Sequence, residues 1–224
     1  MKVVVRIGGS VVGSPLNPSL ISKYVDLLKE LKQQGHEIVA VVGGGSLARE
    51  FIKVAVKLGL DEVKRDWAAI HVSRLFARLF VLGLGEAGCG CVPVSVDEAQ
   101  DCLETGKVVV LGGLCPGMTT DSVAALVGKR IEADLLVKGS NVDGIYSKDP
   151  KKYSDATKLD ALKFDDLTNI FEADKHRAGI NQIIDPEAIK ILQMCRLKTI
   201  IVNGFVAENV LSAVNGERIG TIIE

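Results

Sequence analysis

The sequence is poor in aromatic residues and in histidine, and its charges nearly cancel. Of its 224 residues only 4% are aromatic and 3 are histidine, and 27 Lys and Arg residues against 28 Asp and Glu residues leave a formal charge of -1. The balanced charge argues against the positive surface that is expected of a duplex-binding protein or of a membrane-surface helix. Nucleic acid is therefore not an expected partner.

Long apolar runs are missing as well. Charge or glycine interrupts each apolar stretch before it reaches the roughly 18 residues of a membrane span. The start MKVVVRIGGS lacks the apolar core of a signal peptide. We therefore expect no membrane partner and a cytoplasmic location.

The 5 cysteines are odd in number and scattered along the chain, which argues against a disulfide framework. The one close pair is Cys89 and Cys91. A zinc site would need two more ligands, and neither a second cysteine pair nor a neighbouring histidine supplies them. We expect reduced, structural cysteines and no metal bound by the protein.

Strand and helix patterns alternate along the whole chain. Asn17 and Pro18 provide a cap and a first-turn proline for a helix that stops at Gly35. Strands with few polar residues, such as 108–111, are typical of a parallel sheet covered on both faces. The sequence predicts one α/β domain, a three-layer α/β/α sandwich with a mostly parallel sheet. The predicted strands are 2–7, 37–42, 91–94, 107–111, 134–138, 198–202 and 219–223, and the further helices are 46–58, 66–84, 97–104, 121–130, 165–172, 186–195 and 207–214.

One predicted helix, from Asp66 to about Leu84, is apolar around most of its circumference. A helix packed on the outer face of a sheet normally keeps one polar side. An apolar surface all round therefore indicates either the centre of a large core or an interface between subunits. In a chain of this size we favour the subunit interface, with Phe76 and Phe80 as contact residues.

Three glycine-rich turns, 8–10, 43–46 and 112–120, follow three predicted strands. In an open parallel sheet, ligands bind at the carboxyl ends of the strands, and glycine lets backbone N–H groups approach an anion there. The turn at 43–46 also opens a helix, whose N-terminus favours phosphate. One such turn could need glycine only for its backbone shape. Three at one sheet edge favour a phosphate site.

Two nucleotide-binding motifs can be compared with these turns. Gly112 and Gly117 have the outer spacing of a P-loop, but Met118 stands where its lysine must be. Residues 43–48 match a dinucleotide fingerprint, which makes a Rossmann oxidoreductase a rival interpretation. That fold needs an acidic residue at the end of a second strand about 20 residues further on, and the corresponding stretch is polar and leads into a helix.

Four segments carry a resemblance to a known family: Gly8-Gly9-Ser10, Val42 to Arg49, Pro116 to Leu126 and Asn141 to Pro150. In order and spacing they resemble the archaeal UMP kinases of the amino acid kinase superfamily, and the resemblance covers the whole chain. It implies an amino acid kinase-like fold, phosphoryl transfer from ATP to UMP in pyrimidine biosynthesis, Mg²⁺ carried by the nucleotide, and a homo-hexamer built from dimers. Within the single domain of residues 1–224, it implies an acceptor-binding part at about 1–138 and an ATP-binding part at about 139–224.

The resemblance also implies roles for individual residues. Catalytic contacts to the phosphates would come from Arg49 and Arg6. The ATP phosphates would be held by Gly9, Ser10, Gly45 and Arg49, and the adenosine by Ser140, Asn141, Tyr146 and Asp149. UMP would be bound by Gly44, Asp66, Leu114, Cys115, Pro116, Gly117, Met118, Thr119 and Thr120.

Alternatives stay open at several positions. Asp66 could equally be an ordinary cap of the helix that it begins. Lys138 could reach the phosphates or merely end a strand, and Lys190 has no assigned role. Met118 replaces a polar residue common in the family's uracil loop, which weakens the case for strict uracil selection. A kinase of the same fold with another small acceptor, or a non-catalytic nucleotide- or oxyanion-binding protein, remains possible on the sequence.

Overall fold

The computed structural model describes residues 1–148, 150, 153–167 and 183–224. Its strands are β1 Lys2–Ile7, β2 Glu37–Val42, β3 Val109–Leu111, β4 Leu135–Ser140, β5 Ile145–Tyr146, β6 Lys158–Leu159, β7 Ala161–Leu162, β8 Thr199–Asn203 and β9 Thr221–Ile223. Its helices are α1 Gly9–Val12, α2 Pro18–Gln33, α3 Gly45–Lys57, α4 Glu62–Leu84, α5 Val96–Glu104, α6 Thr120–Arg130, α7 Pro186–Cys195 and α8 Glu208–Val214.

A seven-stranded sheet with the order β3-β2-β1-β4-β8-β9-β7 forms the middle layer, and β5 and β6 form a separate pair. The side chains of β1 alternate between two cores: Val3 and Val5 belong to the core under α2, α4 and α8, and Val4 belongs to the core under α5, α6 and α7. All three valines are 0% exposed. The predicted three-layer α/β/α sandwich is confirmed.

The central strands run in the same direction. β1 pairs in parallel with β2 and β4, β2 with β3, and β4 with β8, whereas β9 is antiparallel to β8. The carboxyl ends of β1 to β4 therefore meet at one edge of the sheet, where a ligand site is expected. The sheet continues across residue 138, because β4 is paired with both β1 and β8.

One predicted strand differs from the structure. The strand predicted at 91–94 is absent: Gly90 has a φ of 86°, Pro93 has no N–H to donate, and the neighbouring pairing is reduced to one bridge between Gly88 and Val108. Of the helix predicted at 165–172, residues 165–167 are helical, and the remainder lies outside the described residues.

Helix α4 begins earlier than predicted. Its cap is Asp61, whose side chain accepts a hydrogen bond from the Lys64 N–H at 2.9 Å. Asp66 therefore lies in the second turn, and its alternative interpretation as the helix cap is wrong. The cap predicted for α2 is confirmed, since the Asn17 side chain accepts from the Leu20 N–H at 3.0 Å.

The apolar residues of α4 divide between two faces. Phe76 and Phe80 are 3% and 0% exposed in the chain's own core, so the expectation that they contact another subunit is wrong. Leu75, Leu79 and Leu82, here called the α4 strip, are 58%, 44% and 63% exposed. By length and composition alone, the stretch from α4 to residue 87 could span a membrane, but 44% of its apolar 18-residue window is buried inside the chain. It is a core helix with one exposed apolar face.

Candidate functional site

A cavity of about 270 Å³ lies at the carboxyl ends of β1, β2 and β4. The residues lining this glycine-lined cavity are Arg6, Gly8, Gly9, Ser10, Gly43, Gly44, Gly45, Arg49, Thr120, Asp121, Lys138, Gly139, Ser140, Asn141 and Ile183. Nearly all of them are glycine, polar or charged. Since pockets for whole drug-sized ligands measure roughly 300–1,000 Å³ and are mostly apolar, this cavity suits a small, strongly polar group such as a chain of phosphates.

The first two glycine turns pack backbone to backbone. A Cβ atom on Gly9 would lie 2.3 Å from the Gly45 nitrogen, and Gly45 has a φ of 62°. Within the described part of the chain, the N–H groups of Gly9, Ser10, Gly44 and Gly45 donate to no acceptor. Unpaired N–H groups at the start of a helix attract anions. The glycines thus allow the two turns to pack closely and leave these N–H groups free to bind an anion.

The third glycine turn has a different role. A Cβ atom on Gly112 would lie 2.7 Å from the backbone nitrogen of Arg74, and the Gly113 N–H donates to the Ser73 hydroxyl at 2.8 Å. Glycine is needed here because α4 approaches the turn closely. Gly112 and Gly113 are not among the residues that line the cavity.

Two cations and one carboxylate lie side by side in the cavity wall. Arg6 on β1 and Lys138 on β4 are register partners. Asp121, in the first turn of α6, forms ion pairs with both: Arg6 Nε lies 2.6 Å from Asp121 Oδ1, and Lys138 Nζ contacts Asp121 Oδ2. The first pair is close but lacks the alignment of a hydrogen bond. Arg6 also donates to the Thr120 hydroxyl at 2.7 Å. Arg6, Lys138 and Asp121 together carry a net charge of about +1.

Burial controls the ionisation of this group. It lowers the pKa of Lys138 to about 8, and Asp121 partly opposes the effect. Burial alone would raise the pKa of the Asp121 carboxyl, but Arg6 and Lys138 outweigh it and hold that pKa below its usual value. At neutral pH the cavity therefore presents two cations to a ligand, and Lys138 loses its charge in mildly alkaline solution.

The sequence analysis did not identify Asp121 and left Lys138 open. A usable signal was present, since Arg6 and Lys138 interrupt otherwise apolar strands of a covered sheet, and charges in such positions require a partner. The sequence could not show which carboxylate is that partner, because Asp121 belongs to a helix far from Arg6 along the chain.

Arg49 lies at the edge of the cavity, in the second turn of α3. It is exposed, and its guanidinium donates to the Ser14 hydroxyl at 3.3 Å. In the described ranges it has no carboxylate partner. Its donors are therefore available to a bound anion.

Helix α4 holds the loop between β3 and α6. Asp66 Oδ2 accepts the Gly117 N–H at 2.7 Å. Arg74 donates to the carbonyls of Gly113 and Leu114, both at 2.9 Å, and its guanidinium lies 5.7 Å from the Trp67 ring. The structure thus brings together Asp66 and the loop 114–120, two parts of the predicted UMP site.

Within this loop, Thr120 is the residue that reaches the cavity. Thr119 caps α6 and donates to Asp185 Oδ2 at 2.5 Å. Cys115 is exposed, Pro116 is half-buried, and Met118 is partly buried against the core under α5 to α7.

The predicted adenosine residues divide into two groups. Ser140 and Asn141 line the cavity. Tyr146 on β5 does not line it, and its hydroxyl donates to Asp143 Oδ1 at 2.8 Å. The prediction for Asp149 lies outside the described residues.

Comparisons with known proteins agree with this architecture. The uridylate kinase of Methanocaldococcus jannaschii is 40% identical to the chain over 226 residues, covering 100% of both. A crystal structure of the uridylate kinase from Archaeoglobus fulgidus has a TM-score of 0.90 at 38% identity, covering 100% of both chains. The UMP kinase from Bacillus anthracis shares the fold, with a TM-score of 0.83 at 19% identity over 100% of this chain and 95% of the other. Since the model of the amino acid kinase family also matches residues 1–203, the chain belongs to that family.

Proposed function

We propose that the chain is a UMP kinase that transfers the γ-phosphoryl group of ATP to UMP, giving UDP and ADP for pyrimidine nucleotide biosynthesis in the cytoplasm. The observation that carries the proposal is the glycine-lined cavity, where unpaired N–H groups and the cations Arg6 and Lys138 meet at one sheet edge. Relatives named uridylate kinase, 40% identical over the full length, support the same activity.

The transfer brings two anions together, so the enzyme must align them and neutralise charge that spreads in the transition state. The acceptor is a phosphate oxygen that is already ionised near neutral pH, and no general base is required. In keeping with this, the described residues that line the cavity include no histidine, and the one carboxylate among them, Asp121, is paired with two cations. Positioning and electrostatics carry the proposed reaction.

The donor side of the proposal uses the first two glycine turns. The N–H groups of Gly9, Ser10 and Gly45 would cradle the ATP phosphates, and Arg49 would bridge the donor and acceptor phosphates from the edge of the cavity. Arg6 and Lys138 would stabilise charge on the transferred group. Fixed cations in a buried site are effective because they need no reorganisation during the reaction.

Asp121 has a positioning role in this proposal. Arg6 and Lys138 would repel one another across β1 and β4, and the carboxylate between them holds both side chains towards the cavity. Because it is occupied by these cations, Asp121 is a poor ligand for Mg²⁺. The ion would ride on the nucleotide phosphates, where it neutralises charge on the β- and γ-oxygens.

The acceptor side uses Gly44, Asp66 and the loop 114–120. Asp66 already fixes this loop through Gly117, and its second carboxylate oxygen would accept a ribose hydroxyl of UMP. The adenosine would lie near Ser140 and Asn141, with Tyr146 and Asp149 as further predicted contacts. The cavity combines residues from both proposed parts of the domain, about 1–138 and about 139–224, as transfer between two nucleotides requires.

We also propose a homo-hexamer built from dimers. The α4 strip is supported by a second exposed apolar row on the adjoining helix α3 and its C-terminal cap, formed by Phe51, Val54 and the cap residue Leu58 at 51%, 56% and 70% exposure. Residues three, four and seven apart share one face of a helix. Extended apolar surface on a globular chain marks an interaction site, and these two rows are the proposed contact between subunits.

A coupled assay for ADP release, run with UMP, CMP, dUMP and no acceptor, tests the proposed activity. We expect turnover with UMP, less with CMP and dUMP, and almost none without an acceptor. Some activity with CMP is compatible with Met118, which lacks the polar group common in the uracil loop. Turnover restricted to another phosphorylated acceptor would assign the chain to a different kinase of the same fold. Nucleotide binding without ADP release would identify a non-catalytic binding protein.

A further inference from the structure

Three of the 5 cysteines converge outside the glycine-lined cavity. The Sγ atoms of Cys89 and Cys91 are 3.9 Å apart, and those of Cys91 and Cys102 are 3.4 Å apart. All three Sγ atoms lie within 4.8 Å of one another. This three-thiol cluster shares no residue with the cavity. The sequence analysis had set a metal site aside because it saw only the Cys89 and Cys91 pair, and the fold supplies the third thiol.

The backbone fixes the arrangement of the cluster. Gly90 has a φ of 86°, a conformation that side-chain-bearing residues rarely adopt, and it turns the chain between Cys89 and Cys91. The Cys89 N–H donates to the Val108 carbonyl at 2.9 Å. Cys102 comes from the middle of α5, a regular helix. Two separate segments, each with its own hydrogen bonds, therefore hold the thiols together.

The sulfur positions match those of a metal site. Zn²⁺ binds thiolates at about 2.3 Å in a tetrahedron, which places neighbouring sulfur atoms about 3.8 Å apart. The observed separations of 3.9 and 3.4 Å, with the third below 4.8 Å, lie around this distance. Three soft sulfur donors favour a thiophilic ion such as Zn²⁺ over Mg²⁺ or Ca²⁺. Cys91 is exposed, so an ion can enter and a water molecule can complete the coordination.

A basic side chain supports the cluster from outside. Arg78 donates from Nη1 to the Gly90 carbonyl at 2.6 Å, which places its guanidinium beside the peptide that joins Cys89 and Cys91. Three thiolates around a divalent cation carry a net negative charge, and a neighbouring guanidinium offsets it. Groups that support ligands in this way orient them and strengthen metal binding.

We propose that Cys89, Cys91 and Cys102 bind one Zn²⁺ ion per chain through three thiolates, with water in the fourth position. The site is independent of the proposed kinase activity, because it uses no residue of the cavity. Bound Zn²⁺ would tie the segment after α4 to α5.

Metal binding by the full-length, reduced chain tests the site. Zn²⁺ is titrated against a chromophoric chelator in the native chain and in Cys91→Ser, Cys102→Ser and Cys195→Ser. Cys195 is a matched control, since it is partly buried like Cys102 and lies outside the cluster. We expect one tight site in the native and Cys195→Ser chains. Both cluster variants should lose affinity by at least about a hundredfold, since even the loss of a supporting group costs 10–100-fold.

Co²⁺ provides a second readout, which reports that the ligand atoms are sulfur. Thiolate coordination gives an intense sulfur-to-cobalt charge-transfer band, and this band should weaken in each cluster variant that keeps the native far-ultraviolet circular dichroism. Binding that survives in Cys91→Ser and Cys102→Ser would overturn the proposal. So would a reduced native chain that takes up no Zn²⁺, or one in which the cluster closes to a disulfide while Zn²⁺ is present.

Discussion

Asp121→Asn should move the alkaline limit of activity to lower pH. Lys138 must carry its charge to stabilise the transferring phosphoryl group in the proposed mechanism. Burial lowers the pKa of Lys138 to about 8, and Asp121 is the largest influence that opposes this fall. Activity should therefore be lost as the pH rises through about 8 in the native enzyme. Without the Asp121 charge, the protonated form of Lys138 is less favourable and the loss begins earlier.

The size of the effect follows from the contact between the two groups. An opposite charge within about 4–6 Å changes a pKa by about 1 to 3, so the pKa of Lys138 in Asp121→Asn should lie between about 5 and 7. At pH 7 the charged fraction of Lys138 would fall from about nine tenths to between about one half and one hundredth. The value of kcat/KM at pH 7 should fall about twofold to a hundredfold in proportion. Arg6 remains beside Lys138, and its positive charge also lowers the pKa of Lys138.

The assay is the pH dependence of kcat/KM for ATP, because this parameter reports ionisation of the free enzyme. Asp121→Glu keeps the charge and should keep an alkaline limit near that of the native chain. Lys138→Arg is the sharper control. Its guanidinium stays charged at every accessible pH, so the limit near pH 8 should disappear while measurable turnover remains.

Three results would refute this reasoning. If the alkaline limit of Asp121→Asn stays where the native limit lies, Asp121 does not set the ionisation that controls activity. If Lys138→Arg is active and still loses activity near pH 8, the titrating group is not Lys138. A loss of activity in Asp121→Asn that is equal at every pH would assign Asp121 a purely structural role.

Three further predictions concern the phosphates, the acceptor and the assembly. Arg49→Ala should lower kcat/KM by at least about a hundredfold, because a charged contact at a transferring phosphoryl group is worth several kcal/mol. Lys53 is another exposed cation of α3, and Lys53→Ala should change kcat/KM little. In steady-state kinetics the native enzyme should prefer UMP to dUMP by about tenfold or more, since an unpaired buried polar group costs about 1–3 kcal/mol, and Asp66→Ala should erase this preference. Leu79→Glu should place an uncompensated charge in the subunit contact and so reduce the mass measured by light scattering. Met194 is also an exposed apolar residue, and Met194→Glu should leave the mass unchanged.

Each of these has an outcome that contradicts it. Near-native turnover of Arg49→Ala would remove Arg49 from the contacts to the transferring phosphoryl group. Equal kcat/KM for UMP and dUMP would separate Asp66 from the 2′-hydroxyl. A native chain that is monomeric would rule out the proposed assembly. Gly44 is a less useful test position, because a Cβ atom there would lie 2.6 Å from the Ala48 Cβ and would disturb α3 itself.

Local sequence patterns were sufficient for much of the fold. The cap at Asn17, Pro18 in the first turn and Gly35 at the end predicted α2 closely, since these residues act on their own helix. The β-branched runs predicted β1 and β2 with the observed bounds. The strand predicted at 91–94 failed because Gly90, with a φ of 86°, turns the chain and Pro93 has no N–H to donate, so pairing beside β3 ends at the bridge between Gly88 and Val108.

The division of α4 into a core face and an exposed face required the tertiary structure. Its composition is apolar nearly all round, so periodicity could not say which residues meet the sheet. Packing against α2 and the sheet buries Phe76 and Phe80 and leaves the α4 strip outside.

The sequence by itself determined the layered α/β class and the glycine turns at the strand ends, because these depend on the conformational preferences of consecutive residues. It could not determine which distant side chains share a site. The pairing of Asp121 with Arg6 and Lys138, the contact of Asp66 with Gly117, and the approach of Cys102 to Cys89 and Cys91 were decided by the tertiary structure. Each joins elements that are separated along the chain, and their distance is set by how whole helices and strands pack rather than by any local preference.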